Sequence, residues 1–253
     1  MTLTIDNLEA GYGSVPVITG ASASVPSGEL TVLIGPNGTG KSTLLKALAG
    51  LVQSTGRISI HGADLPIGKR RDTVAYMPQD TGASSSLTVL EVVLLGRLRS
   101  LGLTVPETLS RDASRMLRRF GIDDLQDRTL DALSGGQRQL VFLAQSLFRA
   151  PRVLLLDEPT AALDLRHQLV VLNAVRDHAR AHGIVAIAAM HDLALAAQFA
   201  NRIICLSSGT IAAEGTSREV LTEDRVRSVY GVETAIADTP AGFLSITPLR
   251  PCA

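Results

Sequence analysis

The sequence has no tryptophan, and aromatic residues make up only 3% of its 253 positions. Its core must therefore be built from Val, Leu, Ile and Ala, a composition that suits parallel strands covered by helices on both faces. It also lacks an excess of either charge, since 24 Lys and Arg are matched by 24 Asp and Glu. A chain so balanced has no electrostatic footprint of a general nucleic-acid binder, and nucleic acid is not expected among its partners. Cysteine is scarce: Cys205 and Cys252 stand alone, without a CxxC pair or a Cys/His cluster. That excludes a disulfide scaffold and a zinc site and favours two reduced thiols. No apolar run approaches the roughly 18 residues a membrane span requires. The longer ones, such as residues 183–190, read as buried strands. The N-terminus MTLTIDNLEA has no basic stretch leading into an apolar run. No secretory signal is read there, and the cytosol is the expected compartment. Contact with a membrane then has to come through a partner.

What is present is a hydrophobic fraction of 45% on a chain long enough for one large α/β domain or a core with an insertion. Residues 2–8 alternate as a half-buried strand does, and a Gly-rich turn comes next at Gly11 and Gly13. Residues 30–34 are continuously apolar and run through a glycine loop into KSTLLKALAGL, whose leucines recur at helical spacing. Short strands are expected at 57–60 and 74–77. From 88 to 149 the pattern changes to helices with charged faces. Strands then alternate with helices, at 153–156, 165–181, 184–189, 193–199 and 203–206, which implies a parallel sheet with right-handed crossovers. Past 216 the sequence reads as an extension with one short helix and a Pro-rich tail.

The loop Gly35-Pro36-Asn37-Gly38-Thr39-Gly40-Lys41-Ser42 fits GxxxxGK[ST] and lies between an apolar strand and a helix opening with Ser42 and Thr43. Glycines let backbone NH groups turn inward around a β-phosphate, and the helix adds its positive end. Lys41 would reach the β and γ phosphates, and the Ser42 hydroxyl would ligate Mg2+. The run 153–156 ends in Asp157-Glu158, delivering two acids to the sheet's carboxyl edge, where α/β ligands bind. Asp157 is placed to hold the metal, and Glu158 to polarise the attacking water as general base. A third feature is Leu133-Ser134-Gly135-Gly136-Gln137. Ser134 and Gln137 form a capping box, and two glycines expose the first NH groups of a helix running to Phe148. This is a second anion-binding helix end, and in a chain whose phosphate loop already encloses one side of a nucleotide it more naturally serves another copy.

With these motifs in order, the sequence resembles the nucleotide-binding subunits of ABC transporters over nearly its whole length. The resemblance implies a P-loop NTPase, RecA-like α/β core with a small antiparallel β subdomain and an inserted helical subdomain. The expected division is 1–87 and 150–216 for the core, 88–149 for the helical subdomain and 217–253 for the extension. It further implies that Tyr12 stacks on adenine, Gln79 in YMPQD senses Mg2+ and the partner, Asp164 lies at a dimer seam and His191 contacts the γ-phosphate. Read without the resemblance, Tyr12 is a surface turn aromatic, Gln79 a solvated loop residue and His191 a histidine at a strand end. The place of His191 on the carboxyl edge, beside the acids, tips it towards function. The implied cofactors are ATP, as substrate, and Mg2+. The implied partners are a second copy, membrane-spanning permease subunits and, indirectly, a substrate-binding protein, with the chain peripheral on the cytoplasmic side of the membrane. LDLRHQL at 163–169 and VLLGR at 93–97 resemble the group importing iron-siderophore complexes, haem and cobalamin. Leu140 and the segment RLRSLGLTV at 97–105 depart from the family pattern. The rival class, an ABC ATPase acting on ribosomes or DNA, generally carries tandem cassettes or a long coiled-coil insertion.

Overall fold

A computed structural model describes residues 1–79, 85–100 and 104–252; the middle of the 97–105 segment and Asp80 of YMPQD lie outside the described residues. The chain opens with β1 (Thr2–Tyr12), β2 (Val15–Pro26) and β3 (Leu30–Ile34), then α1 (Lys41–Ala49), β4 (Ser54–Ile60), β5 (Ala63–Asp64), α2 (Ile67–Thr73) and β6 (Val74–Met77). The helical stretch comprises α3 (Val89–Leu94), a 3-10 segment Leu95–Ser100, α4 (Glu107–Arg119), two short 3-10 turns and α5 (Gly135–Phe148). Next come β7 (Val153–Asp157), α6 (Leu165–His182), β8 (Val185–Ala189), α7 (Leu193–Phe199), β9 (Arg202–Ser207) and β10 (Thr210–Gly215). The chain ends with α8 (Ser217–Val220), α9 (Glu223–Tyr230), β11 (Val232–Asp238) and β12 (Leu244–Pro251).

The fold is the expected α/β arrangement. Its central sheet has the order β10-β9-β3-β8-β7-β6, parallel except for the antiparallel edge strand β10. Every residue of β3, β7 and β8 is buried, which explains why these strands read as unbroken apolar runs. The two faces of the sheet bury two cores. Leu154 and Leu156 pack with the helices α3 to α7, whereas Val153 and Leu155 pack with α1 and a second, antiparallel sheet of order β2-β1-β4-β5. Among the described residues no helix is long and apolar enough to cross a membrane.

Three expectations are corrected. The strand starting at Thr2 runs to Tyr12, and β2 pairs with it where no strand was expected. The helical pattern expected from 88 onward breaks after Leu94 into the 3-10 segment, where Arg97 has non-helical dihedrals. The region past 216 holds two helices and an antiparallel hairpin, β11 with β12, rather than one helix and a tail.

On α6 the His178 ring is buried, its Nδ1 has no hydrogen-bond partner among the described residues, and its centroid lies 4.2 Å from that of the His182 ring. Burial first, then the His182 and Arg119 charges, lowers its pKa from 6.5 to about 4. The unfolded chain protonates this imidazole near pH 6.5 while the folded chain keeps it neutral, so stability is full above that pH and falls towards pH 4. Replacing His178 with Leu is expected to flatten the pH dependence of thermal unfolding across that window. Identical pH dependence in the two proteins would contradict this.

Candidate nucleotide site

Four neighbouring strands of the central sheet, β3, β8, β7 and β6, end on one edge, and each delivers one part of the site. Leu33 and Asp157 both pair with Ala189 in register, so the loop after β3, the acids after β7 and His191 after β8 emerge side by side. Gln79 comes just after β6, whose Met77 is level with Leu156. The result is a cavity of about 640 Å3 whose walls include Gly38, Gly40, Lys41, Ser42, Gln79, Glu158 and His191.

The loop of residues 35–40 needs its glycines for different reasons. Gly40 caps α1 at φ 101° in the left-handed region, and a Cβ there would lie 2.6 Å from Ile18. A Cβ on Gly35 would lie 2.3 Å from the Leu206 carbonyl oxygen of the adjacent strand. Within the loop Thr39 Oγ1 donates to the Pro36 carbonyl at 2.9 Å. Lys41 is 6% exposed, and its Nζ donates to the carbonyls of Gly35 at 2.7 Å and Pro36 at 3.0 Å. Burial pushes its pKa below the ordinary lysine value, and the carboxylates of Glu158 and Asp157 oppose that shift. The lysine charge is thus held among the loop carbonyls with two acids close by.

The two acids are separated by environment. Asp157 Oδ1 accepts from Ser42 Oγ at 3.0 Å, and Oδ2 accepts from the Tyr76 hydroxyl at 3.1 Å. Burial, together with the Asp157 charge, pushes the Tyr76 phenol well above its ordinary pKa, so it stays a donor. Glu158 is held otherwise. Its Oε2 accepts from Gln79 Nε2 at 2.9 Å, and its Oε1 pairs with His191 Nε2. Its backbone has φ 52°, a left-handed conformation costing a non-glycine residue about 1–2 kcal/mol. Three hydrogen bonds to its backbone hold it there: its NH donates to Ala189 O at 3.1 Å, and its carbonyl accepts from Gln139 Nε2 at 2.9 Å and from Ala161 N at 3.3 Å.

Among the described residues no group of three or more His, Cys, Asp or Glu is assembled as a metal cluster. Ser42 Oγ and the Asp157 carboxylate lie 3.0 Å apart, and Gln79 lines the same cavity as Ser42, so the donors these residues can offer a metal are oxygens. Such a sparse, hard set fits Mg2+, which retains waters and shares substrate phosphate oxygens, and does not fit zinc.

The second helix end is built as the spacing implies. Gln137 N donates to Ser134 Oγ at 3.2 Å and Ser134 N donates to Gln137 Oε1 at 3.0 Å, closing a capping box at the start of α5. The glycines differ, because a Cβ on Gly136 would sit 2.9 Å from Ala162 O whereas one on Gly135 would meet nothing within 4 Å. Asp164 caps α6, accepting from His167 N at 2.8 Å. Ser134, Gly135, Gly136, Gln137, Asp164 and Tyr12, which is 51% exposed, are not among the residues lining the cavity of their own chain. Tyr76 and Gln139 were missed by sequence reasoning. Tyr76 carries no motif of its own, but Gln139 was visible as a polar residue in the apolar stripe of α5 that continues through Leu143 and Leu147.

A family profile described as ABC transporter matches residues 18–161, from β2 through the loop after Glu158. The chain belongs to the ABC transporter family. The chain is 37% identical to a cobalamin import ATP-binding protein of Halobacterium salinarum over 98% of its own length. It spans 64% of that relative. An iron(3+)-hydroxamate import ATP-binding protein of Bacillus subtilis is 36% identical, with 94% of this chain and 91% of the relative covered. A hemin import ATP-binding protein of Mesorhizobium japonicum is 37% identical over 89% and 90% of the two chains. Among solved structures, a metal-chelate type ABC transporter in an inward-facing conformation superposes with a TM-score of 0.81 at 26% identity, over 98% of this chain and 97% of that one. A bacterial ABC transporter cassette solved as a dimer gives 0.76 at 27% identity, over 85% and 99%.

Proposed function

We propose that this chain is the ATP-hydrolysing subunit of an importer, working as a head-to-tail pair on the cytoplasmic face of a membrane-spanning permease. The observation that carries the reading is the convergence of Lys41, Ser42 with Asp157, and Glu158 with Gln79 and His191 on one sheet edge. Residues 35–43 bind and orient the triphosphate, with Lys41 turning from the loop carbonyls to the β and γ phosphates. Ser42, Asp157 and Gln79 hold Mg2+, which when bound neutralises charge on the phosphate oxygens. Glu158 accepts the proton of the attacking water. His191, paired with Glu158, meets the γ-phosphate, and Tyr12 stacks on adenine. Ser134, Gly135, Gly136 and Gln137, with Asp164 at the seam, close the nucleotide held by the other copy. The absence of this second helix end from the chain's own cavity and the likeness to a dimeric cassette support the pairing.

A second cavity, of about 580 Å3, supports the contact with the permease. It lies between the 3-10 segment and α5, lined by Tyr76, Leu95, Gly96, Leu98, Gln145 and Arg149 among others. Leu98 is 60% exposed at its rim, an apolar side chain awaiting cover. A short helix of the permease fits such a cleft. Leu98→Asp is expected to abolish transport in reconstituted vesicles while basal ATP turnover stays within about twofold, since surface changes away from the site perturb little. Crosslinkers at Leu98 that never capture the permease would refute the assignment.

The cargo we propose is an iron chelate of the siderophore class, supported by the iron-hydroxamate relative, within the siderophore, haem and cobalamin group that the motif at 163–169 resembles. Haem and cobalamin are the alternatives, the second favoured by the Halobacterium relative. A substrate-binding protein would deliver the cargo from outside. Copurifying the permease in mild detergent and offering it ferric siderophore, haem and cobalamin tests the choice; uptake of only one of the other two would overturn it.

A further inference from the structure

Gln139 is 3% exposed on the inner face of α5, a position its neighbours Leu140 and Leu143 fill with apolar side chains. Its amide spans a loop that starts at the proposed general base. Nε2 donates to the Glu158 carbonyl at 2.9 Å, and Oε1 accepts from Ala162 N at 3.3 Å. Both partners are backbone groups, one an acceptor and one a donor, so only a side chain carrying both functions satisfies them together. Leu supplies neither, an ionised Glu supplies no donor, and Asn is one methylene shorter. One turn earlier on the same helix, Gly136 lies so close to Ala162 that a Cβ would approach its carbonyl oxygen to 2.9 Å. The first turns of α5 and the 158–162 loop are therefore locked at two points. Glu158 needs such a lock, because its left-handed backbone is unfavourable unless its flanking peptide groups are tied down.

We propose that Gln139 is a positioning residue that sets the Glu158 carboxylate for water activation and ties its placement to the orientation of the Ser134 helix end. The inference rests on the shared-site reading of the function. If Ser134 of one chain closes the nucleotide of its partner while Glu158 serves its own, Gln139 is the link within a chain between the two sites. Docking of the helix end on one nucleotide then holds the base steady over the other. Gln139 itself touches no reacting atom.

The test uses the full chain carrying Gln139→Leu and, separately, Gln139→Glu, the second preserving side-chain length and volume in case the first folds poorly. In both, kcat is expected to fall on the order of 10- to 100-fold, the scale of a misplaced catalytic group, with KM for MgATP within about twofold of wild type. Because Gln139 acts through Glu158, either change placed in a Glu158→Gln background should cost no further turnover. A kcat within about twofold of wild type in both variants, or losses that multiply with that of Glu158→Gln, would overturn the proposal. The shared-site reading fails separately, in the count of ATP bound by mixed dimers. Mixed dimers that share their sites, built on a Gln139 variant with normal kcat, would sink the link alone.

Discussion

Glu158→Gln is expected to lower ATP turnover by about 10²- to 10⁴-fold, the range that a positioned general base contributes, while MgATP binding is retained. Glutamine keeps the shape of the side chain and an oxygen that can accept from Gln79 Nε2, so the 2.9 Å contact seen in the structure has a counterpart in the variant. What it cannot do is accept a proton. The other acid does not replace it, because Asp157 is already engaged by Ser42 Oγ and the Tyr76 hydroxyl. The variant should therefore stall after binding and before cleavage. Nucleotide affinity and single-turnover hydrolysis, measured on the same preparation, separate the two steps. Turnover within about twofold of wild type would remove Glu158 from the role of base, and lost binding would make it a structural residue instead.

The core of this site was readable because each part is announced by a physical contrast. The runs 30–34 and 153–156 are apolar throughout since β3 and β7 are buried on both faces. Against those runs the glycines that succeed the first and the acids that succeed the second are conspicuous. Ser134 with Gln137 was legible as a capping box because that device is local, set by residues three apart. Strands at the margins were not readable. β2 reads VPVITGASASVP, where prolines and small residues mask the alternation that its pairing with β1 reveals. In the hairpin of β11 and β12, Pro248 and Pro251 argued against a strand, yet in a two-stranded ribbon both strands are edges and tolerate residues that donate no hydrogen bond. The two glycines of the second helix end were both assigned to anion binding; the tight packing of Gly136 on Ala162, where a Cβ would sit 2.9 Å from the carbonyl oxygen, is a further constraint that only the structure reveals. Gln139 stood out as a polar residue in an apolar stripe, but its role needed the tertiary structure, because its partners, Glu158 O and Ala162 N, are backbone groups 19 and 23 residues away and no spacing rule connects them.

The second large effect concerns which chain completes each nucleotide site. Lys41→Ala removes the buried ammonium that is held at the phosphate loop, and Ser134→Ala removes the cap of the α5 helix end. Placed together on one subunit of a mixed dimer, they damage both sites if sites are shared, since each site draws one of the two residues from the altered chain. Placed on different subunits, they damage one site twice and leave the other whole. A site contained within a single chain gives the reverse pattern. Mixed dimers purified through two affinity tags and saturated with MgATP, then freed of loosely held nucleotide, provide the direct measurement: the number of ATP molecules retained per dimer. The shared-site account predicts one ATP in the dimer with the substitutions split between subunits and none in the dimer that carries both on one subunit; one ATP in the latter and none in the former would contradict it.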